Sequence, residues 1–115
     1  MTKSVITSEK NATLSDLTKL MASKNIGSVI IVDEKGEPAG IVTERDVVKA
    51  LGRGLDVNTK AESIMSHPLI TVTEDTTVHD ALQLMLLKNI RHLVVVNESG
   101  KMSGIVSMRD LVRIA

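Results

Sequence analysis

The 115-residue chain contains no phenylalanine, tyrosine or tryptophan, and no cysteine. Without aromatics there are no platforms on which single-stranded bases could stack, and any core must be aliphatic. Without cysteine, disulfides and thiolate metal sites are excluded. Charge of one sign is missing as well, because 14 Lys and Arg balance 14 Asp and Glu. A general nucleic-acid or membrane-surface binder needs a basic excess, so neither partner is expected, although a small basic pocket for one anionic ligand is compatible with the balance. The apolar runs are too short to span a bilayer. The opening Met1-Thr-Lys-Ser-Val-Ile-Thr-Ser-Glu-Lys10 has no apolar segment of the signal-peptide kind. A soluble cytoplasmic protein is expected. What is present, 43% hydrophobic and 24% charged residues, is the composition of a globular domain.

The dominant feature is an internal repeat. Shifted by 64 positions, residues 65–115 fall on residues 1–51 without a gap, with 19 identities in 51 pairs. Leu20-Met-Ala-Ser-Lys-Asn-Ile26 matches Leu84-Met-Leu-Leu-Lys-Asn-Ile90, and Gly40-Ile-Val-Thr-Glu-Arg-Asp46 matches Gly104-Ile-Val-Ser-Met-Arg-Asp110. A unit of about fifty residues is marginal alone, so two such units predict a pseudo-symmetric pair: a first repeat over 1–51, a linker over 52–64 and a second repeat over 65–115.

Each repeat reads strand, helix, strand, strand, helix, an α/β (α+β) class. Extended starts at 5–7 and 69–72 lead to Thr13 and Thr77, good helix N-caps with Asp16 and Asp80 three residues on. Helical spacing of Leu14, Leu17, Leu20 and Met21, and of Val78, Ala81, Leu82 and Met85, predicts helices ending near Asn25 and Asn89. The aliphatic runs 29–32 and 93–96 read as buried strands. Turns ending in Gly36 and Gly100 follow, then short strands through Ile41-Val42 and Ile105-Val106, then second helices from Glu44 and Met108. The glycines of the linker stop the preceding helix, and a short helix is expected over 61–65.

The segment Gly-Ile-Val-[Thr/Ser]-x-Arg-Asp, present twice, carries the chemistry. A strand ends, Thr43 or Ser107 caps a helix, and Asp46 or Asp110 stands three residues later. Unpaired N–H groups at a helix start suit a phosphate, and a carboxylate there can accept both hydroxyls of a vicinal diol such as ribose. Arg45 and Arg109 add guanidinium partners for phosphate. The same Thr-x-x-Asp spacing is also a capping box that needs no ligand. Thr13–Asp16 and Thr77–Asp80 have it too, and duplication copies a cap as faithfully as a site.

The repeat order, the glycine turns, the Ser-Ile-Met-Ser stretch at 63–66 and both Gly-Ile-Val-[Thr/Ser]-x-Arg-Asp segments resemble a tandem pair of cystathionine β-synthase (CBS) domains, the Bateman module, over essentially the whole chain. The resemblance implies two repeats packed through their sheets, with two clefts that take adenosine compounds such as AMP, ADP, ATP or S-adenosylmethionine. Carried over by position, Asp46 and Asp110 hold ribose hydroxyls, while Thr43 and Ser107 contact ribose or phosphate. Ile6 and Ile70, with Ile26 and Ile90, sandwich the adenine. The repeats differ before the aliphatic strand, with Gly27-Ser28 in the first and Arg91-His92 in the second. Arg91 and His92 look like phosphate-binding positions of family members, which would make the cleft of Asp110 the more anion-attracting; as a plain surface pair they would do nothing of the kind. The first repeat begins almost at Met1, so the short helix that precedes the first strand in the family is expected to be missing or abbreviated.

Other candidates fade. His67, His79 and His92 lack metal-ligand spacing, no nucleophile–base arrangement is visible, and there is no P-loop or Gly-x-Gly-x-x-Gly. The six methionines read as packing filler. Leu20, Leu84 and Leu87 fall off the main apolar stripes of their helices, as an interface would require or as burial on two sides would. The expected function is a stand-alone regulatory module, not an enzyme. It needs no cofactor, binds an adenosine nucleotide as regulatory ligand, forms a homodimer and signals to a separate, unidentified protein. The alternative is a structural homodimerisation module with degenerate clefts.

Overall fold

A computed structural model describes residues 5–67 and 69–114. The short helix considered ahead of the first strand concerns positions outside the described residues. The described chain divides into two compact units, one over Ile6–Leu69 and one built on the residues from Ile70 onward.

The first unit holds β1 (Thr7–Glu9), α1 (Leu14–Lys24), β2 (Ser28–Val32), β3 (Pro38–Thr43), α2 (Glu44–Gly52) and α3 (Ala61–Ile64). Its sheet has the order β1-β2-β3, with β1 parallel and β3 antiparallel to β2. Helix α1 starts where Thr13 and Asp16 close a capping box. The Asp16 N–H donates to Thr13 Oγ1 and the Thr13 N–H to Asp16 Oδ2, both at 3.1 Å. It stops at Asn25, whose φ of 52° is left-handed, a conformation that asparagine tolerates better than most residues. Leu14, Leu17 and Met21 of α1 then meet Val29, Ile31 and Val42 of the sheet, with Val47, Ala50 and Ala61 completing an all-aliphatic core. The strands are apolar on both faces, since Ile30 and Ile41, which alternate with the core residues, are buried too.

The second unit repeats the plan with β4 (Thr71–Thr73), α4 (Val78–Lys88), β5 (His92–Val96), β6 (Met102–Ser107) and α5 (Met108–Ile114). Its sheet order is β4-β5-β6 with the same pattern of directions. Ala81, Met85, Leu93, Val95, Val106 and Leu111 form its core. The register slips at Val95/Val96 as it does at Ile31/Val32 in the first sheet, so even the irregularity is duplicated.

Two details differ from the sequence reading. The first strand of each unit begins later than expected, because a parallel edge strand needs only its backbone. Polar Thr7-Ser-Glu9 pairs with Ile30–Val32, while Ile6 contributes a carbonyl that accepts from the Ile30 N–H at 3.1 Å. Strands β3 and β6 each span six residues, where only Ile-Val pairs stood out by composition. Leu20 and Leu84, off the main apolar stripes of their helices, are each partly buried against the core of their own unit. In α4 the exposed pair is Leu86 and Leu87, at 72% and 80%.

The segment between α2 and β4 is not slack. The N–H groups of Leu14 and Ser15 donate to the Thr59 and Val57 carbonyls at 2.8 and 2.9 Å, and the Ala61 N–H donates to the Ala12 carbonyl at 2.7 Å. Farther on, Ser66 forms a bridge with Ile41 of β3. Gly40, next to Ile41, makes the close approach possible, since a Cβ there would fall 2.5 Å from Met65 Sδ and 3.0 Å from the Ser66 carbonyl oxygen.

Candidate functional site at the sheet ends

Strand direction decides which residues meet. In the first unit β1 and β2 run together, while β3 returns with Thr43 opposite Ser28. The starts of β1 and β2 and the end of β3 therefore lie at one end of the sheet. Ile6, Ile26, Gly27, Thr43, Arg45 and Asp46 all sit at this end. The second unit gathers Ile70, Ile90, Arg91, His92, Ser107, Arg109 and Asp110 in the same way, with His92 opposite Ser107.

At the first end, α2 leaves the sheet with its opening N–H bonded back, from Glu44 to the Gly27 carbonyl at 3.0 Å. Asp46 closes a capping box with Thr43. The Thr43 N–H donates to Asp46 Oδ2 at 2.9 Å, the Thr43 hydroxyl reaches the same oxygen at 3.1 Å, and the Asp46 N–H donates to Thr43 Oγ1 at 3.3 Å. The capping alternative is thus realised in the geometry. The second carboxylate oxygen, Oδ1, accepts from the Ser66 hydroxyl at 3.3 Å. Sequence reasoning missed Ser66. Nothing local connects it with a residue twenty positions earlier, although the Ser-Ile-Met-Ser stretch stood out.

At the second end the Met108 N–H donates to the Arg91 carbonyl at 2.8 Å. The Ser107 N–H donates to Asp110 Oδ2 and the Asp110 N–H to Ser107 Oγ, both at 3.1 Å. The backbone hydrogen bond from Ser107 holds the Asp110 carboxyl below its ordinary pKa, against the opposing effect of partial burial. The group is a carboxylate at neutral pH, an acceptor only.

The two ends differ in charge. A Cβ on Gly27 would stand 2.7 Å from Glu44 Oε1, so an acidic side chain lies over the position where the second unit has Arg91. In place of Glu44 the second unit has neutral Met108. Arg45, Arg91 and Arg109 are exposed, and His92 is half-buried at the start of β5. Ile26, Ile70 and Ile90 are also half-buried, packed against the cores of their own units. Each end thus offers a carboxyl acceptor, a guanidinium and aliphatic surface, a combination that can hold a polyol bearing an anion and a flat apolar group. Among the described residues no group of three or more His, Asp or Glu could hold a metal ion. No described helix is long and apolar enough to cross a membrane.

Comparison with known proteins places this geometry. The family model for the CBS domain matches twice, over residues 1–53 and 61–115. The chain is 44% identical over 114 residues to the uncharacterized protein MK0525 of Methanopyrus kandleri, covering 97% of this chain and 58% of that protein. It is 41% identical over 108 residues to the mitochondrial CBS domain-containing protein CBSX3 of Arabidopsis thaliana, covering 88% and 52%. The chain therefore spans little more than half the length of these relatives. Among solved structures, the CBS domain protein PAE2072 from Pyrobaculum aerophilum, complexed with AMP, superposes with a TM-score of 0.85 at 31% identity, covering 96% of this chain and 85% of that one. The CBS domain pair of MJ0100, in complex with 5′-methylthioadenosine and S-adenosyl-L-methionine, gives a TM-score of 0.84 at 33% identity, covering 98% and 92%. With two matches of the family model, two sheets of one topology and the same capped Asp at both sheet ends, the chain belongs to the CBS domain family as a tandem pair of repeats.

Proposed function

We propose that this chain is a regulatory module that binds an adenosine nucleotide (AMP, ADP, ATP or S-adenosylmethionine) in clefts of the repeat pair and signals to a separate protein. The observation that carries the reading is the duplicated sheet end, where Asp46 and Asp110 are held as oriented acceptors beside Arg45 and Arg109. The AMP and S-adenosylmethionine held by relatives of about one-third identity support it. In this reading the two carboxylates take ribose hydroxyls. Thr43 and Ser107 orient them and contact ribose or phosphate, and the arginines, with Arg91 and His92, face phosphate. Ile6, Ile26, Ile70 and Ile90 receive the adenine, with Gly27, beside the Glu44 carboxylate, at the edge of the first site. No catalytic role is assigned to any residue. Regulation requires that ligand bind one conformation of the module better than another.

The module is further proposed to work as a homodimer through its helices. Val48 of α2 and Val112 of α5, equivalent in the two repeats, are 67% and 61% exposed, and α4 exposes Leu86 and Leu87. One observation favours the second reading, a structural dimerisation module with degenerate clefts: both carboxylate oxygens of Asp46 already have protein donors. Isothermal titration with AMP, ADP, ATP and S-adenosylmethionine separates the two. Saturable binding of any of them supports the regulatory module; heat of dilution alone from all four, at protein and ligand concentrations in the hundreds of micromolar, leaves the structural one.

A further inference from the structure

We infer that the Ser66 hydroxyl occupies, on Oδ1 of Asp46, the place of a ligand hydroxyl, so that a diol bound at this sheet end displaces it; this rests on the nucleotide-binding reading above. A carboxylate offers about four lone-pair positions, two on each oxygen. Oδ2 already accepts from the Thr43 N–H and contacts the Thr43 hydroxyl. Both hydroxyls of a vicinal diol must then fall on Oδ1, where Ser66 holds one of the two places. Ser66 leaves, or the diol makes one bond where it could make two.

Ser66 is not needed to aim the carboxylate. With Oδ2 held by Thr43, the position of Oδ1 follows from the geometry of the carboxyl group. The corresponding box of Thr13 and Asp16 in α1 is closed by its two reciprocal bonds alone. The Ser66 bond is long and exposed at 3.3 Å, the kind of contact that a better-placed donor replaces at small cost. The donor itself belongs to a segment with its own place on the sheet. Ser66 exchanges backbone hydrogen bonds with Ile41 at 2.9 and 3.1 Å, and Met65 lies against Gly40. Displacement removes the side-chain tether and leaves the backbone pair with Ile41 in place.

The test uses AMP as probe and the Asp110→Ala protein as background, so that only the first sheet end retains its acceptor. Adding Ser66→Ala should tighten AMP binding by roughly twofold to tenfold, the worth of one exposed hydrogen bond no longer broken. Ser66→Thr keeps a hydroxyl and should bind as the background does. A 2′,3′-dideoxy analogue of AMP cannot compete for Oδ1, so Ser66→Ala should leave its affinity unchanged. Equal or weaker AMP binding after Ser66→Ala, or the same gain for the dideoxy analogue, overturns the inference. If AMP binds and Asp46→Ala abolishes it while Ser66→Ala changes nothing, the exchange is wrong and the nucleotide site stands. If the background takes no AMP with or without Ser66, nucleotide binding at this end fails and the exchange fails with it.

Discussion

Replacing Gly40 by alanine tests how the connecting segment is held. A Cβ at this position would sit 2.5 Å from Met65 Sδ, 2.8 Å from Met65 Cγ and 3.0 Å from the Ser66 carbonyl oxygen. The methionine can swing away, but it is half-buried against the first core. The carbonyl is part of the backbone pair with Ile41 and cannot move without lengthening that bond. Overpacking of this kind costs about 1–3 kcal/mol, offset by about 0.4–1 kcal/mol from the lower entropy of the unfolded alanine chain. A net loss of about 1–2 kcal/mol remains. At an unfolding entropy of about 2 cal/mol/K per residue, it lowers the melting temperature of a chain this size by about 4–8 °C. Gly52 is the control. It is the last residue of α2 and has no atom within 4 Å of a built Cβ, so Gly52→Ala should be neutral or stabilising by up to about 1 kcal/mol. Differential scanning calorimetry on both variants reads the contrast. A Gly40→Ala protein that melts at or above the parent refutes the close approach. So does a penalty that fails to shrink when Met65 is also shortened to alanine, because the two residues would then not be in contact.

Asn25→Ala and Asn89→Ala should each destabilise by about 1 kcal/mol in thermal melts, because both asparagines hold a left-handed φ, 52° and 55°, whereas Asn→Gly at either position should be neutral or better. The Asp110 carboxyl, held below its ordinary value by Ser107, adds stability that is fully present above the unfolded carboxylate pKa of about 3.9 and is lost as pH falls through the lower folded value; Asp16 and Asp33, lowered by bonds from Thr13 and Glu37, act with the same sign. Denaturant melts between pH 6 and 2.5 should therefore lose stability on the acid side, and Asp110→Asn should flatten part of that loss, while an unchanged acid limb would show that the cap carries none of it. Leu86→Glu with Leu87→Glu should shift sedimentation from dimer to monomer while leaving the far-ultraviolet circular dichroism of the parent, since neither side chain contributes to the core; a dimer that survives both changes puts the interface on other helix surface.

Much of this was legible in the sequence because it is local. The capping boxes, the left-handed asparagines and the turn glycines announce themselves within four residues of where they act, and the repeat at 64 gives each feature a second witness. Less legible was anything decided by partners distant along the chain. Thr7-Ser-Glu9 has no strand-like composition, yet it pairs because Ile30–Val32 offers a free edge. Leu20 and Leu84 fall off the main apolar stripes by angle on a helical wheel yet reach the flanks of their own cores, since a side chain covers more of the surface than its Cα direction implies. At the sites, the residue types and spacing of Thr43, Asp46, Ser107 and Asp110 were enough to foresee the caps. The geometry adds that Asp46 performs the cap with one oxygen and spends the other on Ser66, twenty residues away. No spacing rule connects those two residues; the bridge between Ser66 and Ile41 does.

The most direct test of the nucleotide reading is calorimetric titration of AMP into the parent, Asp46→Ala, Asp110→Ala and the double variant, with melting temperatures recorded on the same samples. A charged acceptor contributes about 1.5–3 kcal/mol, so each single variant should lose its own sheet end by roughly tenfold to a hundredfold and spare the other, and the double variant should lose both. The loss of a cap alone lowers stability by about 1 kcal/mol and leaves affinity untouched. A double variant that melts lower yet binds AMP as tightly as the parent would contradict the account, leaving Asp46 and Asp110 as helix caps and nothing more.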